Sequence, residues 1–477
     1  LRDALEELGG LRVARRMRPI LGGWGSALLG LLSASLRFHL TPKAERPYGF
    51  SRLFVQLCAA VTALTGAAAL SLDAPRAARV AATLEPYAVF PQRITFVGVY
   101  QFCQSLQQIA LENQPSATLM FETLLERFQD KRYYPSLPDD ARGLYVAGLQ
   151  FALGAFSVFK ADGSRALRCA DALDGVGLKL YAMIASQLRY LYFTMRGELG
   201  KAAPHRAQVE LHAAQVGSAW QVENWEAPAL LLLHMHTSDT VETTRLTHRL
   251  SQLSKSVPSL RRYQRLAVHM LQLFRSAPRV VEGVVHEYNG LAPRGFIGWA
   301  ATLGLVARAY NEVGQHQKAK QLCEDALAQL SDEHREYVSL FMVLELQLVL
   351  AQGGLGDTAG ALERIDAQLE RFAGCDHPLL AGMLHDARAR LCWAKGDVAG
   401  FERSLAEVER EFRRTGVSAL VAHAERLALL ARPRTPANTQ EEGALRSSSR
   451  RPPRPTTGEL SEVATVVAPK AATRARS

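Results

Sequence analysis

Gly200–Lys201 is the pair nearest to a phosphate loop, in which backbone amides and a lysine cradle phosphates in the pattern GxxxxGK[ST]. Here it continues Ala-Ala and lacks the leading glycine, so no nucleotide site is expected. His334-Arg335-Glu336 invites comparison with a kinase catalytic loop, but the catalytic Asp and the downstream Asn are missing, as are a Gly-rich loop and DFG. Neither HExxH nor GxSxG occurs. His234-Met235-His236, with His248 nearby, is the compact histidine cluster. Residues two apart on a helix point about 200° apart, so His234 and His236 do not share a metal there. Asp139-Asp140 and Glu441-Glu442 fall in loop or tail sequence and read as solvated carboxylates. Cys58, Cys103, Cys169, Cys323, Cys375 and Cys392 are scattered without a CxxC. That pattern fits small apolar residues in a reducing compartment rather than a disulfide scaffold or zinc site. No catalytic residue, cofactor or metal is expected, although an enzyme on an unfamiliar helical scaffold stays open as an alternative.

Binding is the chemistry the pattern favours, and its frame is a repeat. Leu303–Leu330 places Leu303, Val306, Ala307, Tyr310, Gly314, Ala319, Cys323 and Ala326 at the intervals of one tetratricopeptide repeat, or TPR. That motif is a helix, a tight turn and an antiparallel helix, with small residues where the helices touch and a glycine closing the first. One unit cannot bury its own apolar face, so neighbours are required. Taking Gly314 as a ruler, Gly356 and Gly396 follow at 42 and 40 residues. Comparable turns precede it near Ala277, Asp239, Gly197, Asp162, Asn113 and Asp73. A period near 40 exceeds the TPR's 34, and the polar stretches Ser331–Glu336 and Gly374–Pro378 are the expected inserts between units.

The expected fold is all-α, a TPR-like α-solenoid of about nine helical hairpins ending in a disordered C-terminal tail. Residues 1–49 form an apolar and basic helical segment, 50–290 degenerate repeats, 291–430 clearer TPR-like repeats and 431–477 a basic tail rich in Ser, Thr and Pro. Asn289–Arg294 marks the joint between the two repeat classes. In such an array the first helix of each hairpin lines a concave face. Arg308 and Asn311 in the best repeat, and Arg390 and Trp393 in the last, then form a groove suited to an acidic or aromatic peptide. The competing reading is solvated helix surface for the polar residues and inter-repeat packing for Trp393.

Composition agrees with a folded, helical chain: 477 residues, 48% hydrophobic and 21% charged, with Ala, Leu, Arg, Glu and Gln prominent. The net charge of +10 is half accounted for by Arg432–Ser477, which holds eight Arg and one Lys against four Glu. What remains is too dispersed for a nucleic-acid footprint, so no nucleic-acid partner is expected. That tail cannot bury enough apolar area to offset its ordering entropy. Its Ser447, Ser448, Ser449, Thr456 and Thr457, flanked by arginines, are phosphorylation candidates. Near the N-terminus, Arg12–Arg18 precedes the apolar run Ile20–Leu36, and Val55–Leu72 is a second uncharged run. Both carry polar or glycine residues, which favours buried helices and a cytoplasmic protein; anchoring at the inner membrane through these runs is the alternative. The chain starts at Leu1, which leaves open a fragment, a processed product or a non-standard start.

The blocks RGFIGWAATLGLVARAYNEVGQHQKAKQLCEDALAQL (Arg294–Leu330) and AGFERSLAEVEREFRRTG (Ala399–Gly416) carry a family resemblance. The final third of the chain resembles the helical-repeat region of large bacterial serine/threonine kinases that contain an AAA-type ATPase module. The resemblance implies a regulatory array that senses or recruits proteins for the catalytic modules, with a protein or peptide partner such as the kinase or ATPase itself. Kinase and ATPase motifs are absent from this sequence, so no catalytic residue is carried over. The expected role is a non-catalytic protein-interaction module in bacterial signalling, free-standing or part of a larger kinase.

Overall fold

A computed structural model describes residues 74–82, 94–110, 114–134, 139–177, 179–216, 219–255, 260–261, 263–274 and 297–430. Among them every regular element is a helix, as the composition predicts. In chain order these are α1 (Ala74–Ala82), α2 (Ile94–Ala110), α3 (Gln114–Gln129), α4 (Asp139–Phe159), α5 (Gly163–Asp174) and α6 (Lys179–Met195). Then come α7 (Leu199–Val216), α8 (Ala219–Thr237), α9 (Thr240–Leu253) and α10 (263–274). After these follow α11 (Ile297–Glu312), α12 (His316–Leu327), the single turn α13 (Asp332–Arg335) and α14 (Val338–Gly354). The series closes with α15 (Thr358–Arg371), α16 (Pro378–Lys395), α17 (Val398–Thr415) and α18 (Ser418–Leu430).

One local rule ends a first helix and starts a second at six places. A residue with positive φ is followed at once by the residue that opens the next helix: Ala161-Asp162, Gly197-Glu198, Ser238-Asp239, Gly314-Gln315, Gly356-Asp357 and Gly396-Asp397. Left-handed backbone at this point lets the next N–H reach back to a carbonyl of the last turn. Asp162, Glu198, Gln315, Asp357 and Asp397 donate in this way to the carbonyls of Ser157, Phe193, Tyr310, Gln352 and Cys392, at 2.8 to 3.1 Å. At the sixth place the Ser238 amide donates to His234 O at 3.0 Å. The aspartates then cap the second helix: Asp162 accepts from the Arg165 amide, Asp239 from Val241 and Glu242, Asp357 from Gly360 and Asp397 from Gly400. Turns expected near Asp162, Gly197 and Asp239 are therefore found, and those near Asp73, Asn113 and Ala277 lie outside the described residues.

Packing follows from small residues at the crossings. A Cβ on Gly304 of α11 would sit 2.5 Å from a Val343 methyl of α14, and one on Gly353 of α14 would sit 2.3 Å from Leu391 of α16. First helices thus approach first helices of the next pair, while Ala319, Ala361, Ile365, Phe401 and Val408 fill the second-helix side without exposure. Among the described residues the interior includes an apolar cluster from Val80 to Ala351, another around Val338, Met342, Ile365 and Leu384, and a small one of Met183, Val209 and Ala213. Helix α14 serves the first two, with Phe341, Leu344 and Leu348 in the first and Met342, Leu346 and Val349 in the second.

Contacts also join parts of the chain that a strictly nearest-neighbour array keeps apart. The Tyr337 and Thr118 hydroxyls meet at 2.6 Å across 219 residues of sequence, and the Tyr337 ring stands edge-on to Phe156. Lys160 pairs with Glu336 at 2.7 Å, and the Cys375 thiol lies 3.1 Å from the Ala161 carbonyl. All these contacts lie within the unit that ends at Arg426. Among the described residues no helix is long and apolar enough to cross a membrane. Ile20–Leu36, Val55–Leu72, the Asn289–Arg294 joint and the tail from residue 431 lie outside the described residues.

The turn rule has opposite signs at two positions. Gly356 has φ of +99° with open space where a Cβ would stand, so Gly356→Ala should cost about 1 kcal/mol of conformational strain. Ala161 already bears that strain at φ 61°, so Ala161→Gly should stabilise by about 0.5 kcal/mol, strain relief exceeding the added chain entropy. Urea unfolding of the two variants checks the pair.

Candidate protein-binding cleft

The four residues expected to line a groove are engaged within the array. Arg308, near the end of α11, pairs with Glu312 at 2.8 Å and donates to the Ser238 hydroxyl in the α8–α9 turn. Asn311 donates its amide to the Gln347 carbonyl at 2.9 Å and to Gln347 Oε1 at 3.1 Å, tying α11 to α14, and its Oδ1 lies 3.1 Å from His316 Nδ1. Arg390, exposed on α16, pairs with Asp386 at 3.1 Å, which also holds His423 at 3.0 Å. Trp393 is 41% exposed and rests on the Phe401 ring, centroids 5.1 Å apart. The α11 pair and the α16 pair share no bonding or ring partner. Ser447, Ser448, Ser449, Thr456 and Thr457 lie outside the described residues.

The other groups weighed for chemistry have ordinary structural partners. Lys201 follows its turn and pairs with Glu198 at 2.6 Å. Asp139 is exposed and pairs with Lys131 at 2.8 Å. Among the described residues Cys103, Cys169, Cys323, Cys375 and Cys392 form no disulfide, and burial pushes the Cys323 thiol up to about 12. His234 and His236 lie on α8, where burial pushes both below the usual histidine range, His236 to about 4 with the Arg308 guanidinium adding to the effect.

The more open surface is built by α13, α14 and α15. They frame a small solvent-open cleft with a cavity volume of ≈ 180 Å³, below the size of a typical small-molecule pocket. Beneath it lie Val338, Phe341 and Met342 from the first turns of α14, all buried in the core, and beside it the partly exposed Phe372 just after α15. Three arginines line it. Arg364 and Arg371, two helical turns apart on α15, share a face with Gln368 between them. Arg335 reaches the cleft from α13, and its guanidinium also donates to the Leu327 carbonyl at 2.9 Å, satisfying the C-terminal end of α12. Arg335 Nε is buried without a hydrogen-bond acceptor. The Arg371 guanidinium sits over the Phe372 ring at 5.2 Å. Glu345 is the carboxylate in the cleft, 3.9 Å from Arg364. Sequence reasoning weighed Arg335 only as part of a failed kinase motif and passed over Arg364 and Arg371. The signal that could have found them is the seven-residue spacing on a capped second helix next to a polar inter-pair insert.

The other insert, Gly374–Pro378, carries a clasp between distant helices. Arg196, buried in the α6–α7 turn, holds Asp376 at 2.8 Å and also bonds Glu198 and the Tyr192 hydroxyl. Asp376 is bridged in turn to Arg414 at the end of α17, and these two guanidinium partners hold its carboxyl down at about 2. His377 caps α16, its Nδ1 accepting from the Leu380 amide at 3.2 Å. Burial, with Arg196 adjacent, pushes His377 down to about 3.

The sequence matches no protein-family model and no curated protein.

The clasp makes stability depend on pH with a definite sign. His377 and His236 titrate near 6.5 when unfolded and far lower when folded, so the unfolded chain takes up protons first. Their neutral state costs nothing above about pH 7, and stability falls as pH drops through 6.5. Asp376 adds a further loss between 3.8 and about 2. Thermal unfolding should give a flat midpoint above pH 7 and a falling one below. His377→Asn keeps a capping side chain and removes the proton site, so its midpoint should fall less steeply between pH 6.5 and 5.

Proposed function

We propose that this chain is a non-catalytic protein-interaction module, built as a TPR-like α-solenoid of about nine helical hairpins and working in bacterial signalling. Support for the architecture comes from the six turns that repeat one closing rule, and from first helices that pack on first helices of successive pairs. The observation that carries the function is the cleft between α14 and α15, with the Phe372 ring beside it and a cationic rim. Such a surface gives a docking segment two kinds of purchase. The partly exposed Phe372 ring offers an apolar contact, while Arg335, Arg364 and Arg371 select for negative charge beside it. The partner in this reading is a protein segment, and the family resemblance points to a serine/threonine kinase or ATPase module in the cytoplasm. In that setting the array recruits or regulates, and the chemistry belongs to the partner.

Peptides selected from a display library on the full chain, titrated by fluorescence anisotropy, test this reading. Arg364→Glu with Arg371→Glu should weaken the selected peptides about tenfold or more by reversing the rim charge. Arg403→Glu, an exposed change on α17, should leave them unaltered. Equal binding by all three proteins would move the docking site away from the cleft, and failure to select any peptide would remove the module reading.

A further inference from the structure

His377 holds the start of α16 through the same ring nitrogen that an acid proton must take. Its Nδ1 accepts the Leu380 amide at 3.2 Å, so in the neutral ring the proton sits on Nε2. Nε2 is buried without an acceptor. A second proton can only go to Nδ1, whose lone pair already serves the cap. Once protonated, Nδ1 meets the Leu380 N–H donor to donor, and the first turn of α16 loses its side-chain acceptor. The new charge also stands at a helix N-terminus, where unpaired N–H groups already carry partial positive charge. Cap and proton exclude one another at a single atom.

Neighbouring groups do not rescue the charge. Arg196 from the α6–α7 turn and His236 from α8 oppose it, and Asp376 in the same insert is the group that favours it. Asp376 is already held by Arg196 at 2.8 Å and by Arg414 at the end of α17. Glu198 is bonded to Arg196 and Lys201. The imidazolium is therefore accommodated only when the ring reaches water, and the residues around it are ties to distant turns. Cys375 donates its thiol to the Ala161 carbonyl at 3.1 Å across 214 residues of sequence, and Asp376 meets Arg196 across 180. Pro378, Leu379 and Leu380 are buried at the start of α16. We propose that His377 is a proton-operated latch: a proton on Nδ1 releases the first turn of α16, and with it the hold of residues 374–378 on the turns at Ala161 and Arg196, while the other helix pairs stay packed. This opening is local, unlike the overall loss of stability in acid. One ring and one proton govern it, so the ratio of open to closed latch rises about tenfold per pH unit below 6.5.

Hydrogen exchange of the full chain between pH 7.5 and 5 tests the latch, read by mass spectrometry as protection factors so that the intrinsic pH dependence of exchange is divided out. Protection over residues 378–384 should be lower than over 401–408, on α17, at every pH. It should also fall about thirtyfold across the range, the effect of one proton on a histidine that titrates normally once open. His377→Asn and His377→Asp each supply a capping oxygen with no proton to gain over this range, and in both the protection of 378–384 should stay level. Equal protection over the two stretches at every pH would make the opening global and overturn the latch. No fall in the unaltered chain would overturn it too, and a fall of the same size in either variant would assign the proton to another group.

Discussion

Helix α14 is the constraint on which the described array depends. VSLFMVLELQLVLAQGG is apolar around its whole circumference, so no orientation in water satisfies it. The array answers by giving it two cores at once, one shared with α4, α11 and α12, the other with α15 and α16. Gly304 and Gly353 let the neighbouring backbones come close enough to do so, and Asn311 of α11 occupies the Gln347 carbonyl and side chain on the same helix. Tyr337, one residue before α14, extends the arrangement to α3 and α4 through Thr118 and Phe156.

A local rule and a set of long-range ties divide the work of holding these helices. The left-handed residue and the cap that follows it decide where each helix stops and the next begins, using interactions within a few residues. Those local interactions cannot position one pair against a pair nearly two hundred residues away. That falls to Tyr337–Thr118, Lys160–Glu336 and the Arg196–Asp376–Arg414 clasp, each of which brings a side chain from a turn or insert onto a distant part of the chain. Because the clasp buries the Arg196 guanidinium beside the neutral His377, it couples the fold to pH as packing alone does not.

The same two inserts between helix pairs supply both charged features. Ser331–Glu336 delivers Arg335 to the cleft and Glu336 to Lys160, and Gly374–Pro378 delivers Asp376 and His377 to the clasp. A repeat reduced to its two helices would have neither. The cleft lies at the N-terminal end of α14, where its Phe341 face and its Met342 face diverge toward the two cores. Docking there would sit directly on the helix that links the two cores, which gives a bound segment a physical route to the rest of the array.

By itself the sequence determined what short-range chemistry decides. The helical class follows from residue propensities. The turns at Gly197, Gly314, Gly356 and Gly396 follow from glycine's tolerance of positive φ, and those at Asp162 and Asp239 from the preference of aspartate for helix starts. That Ala161 and Ser238 adopt the same backbone as the glycines was not legible, since alanine and serine carry no such preference. Arg308, Asn311, Arg390 and Trp393 were placed by helical phase, which says which way a side chain points but not what stands opposite. Helical periodicity alone pairs Arg390 with Asp386, four residues earlier on α16; only the tertiary structure decided that Ser238 and Gln347 face the first two, that Phe401 lies against Trp393, and that three arginines from two separate elements line one cleft. The reason is physical: contacts between helices across 36 to 219 residues depend on how whole helices pack, and no periodicity in one helix records the helix that will lie against it.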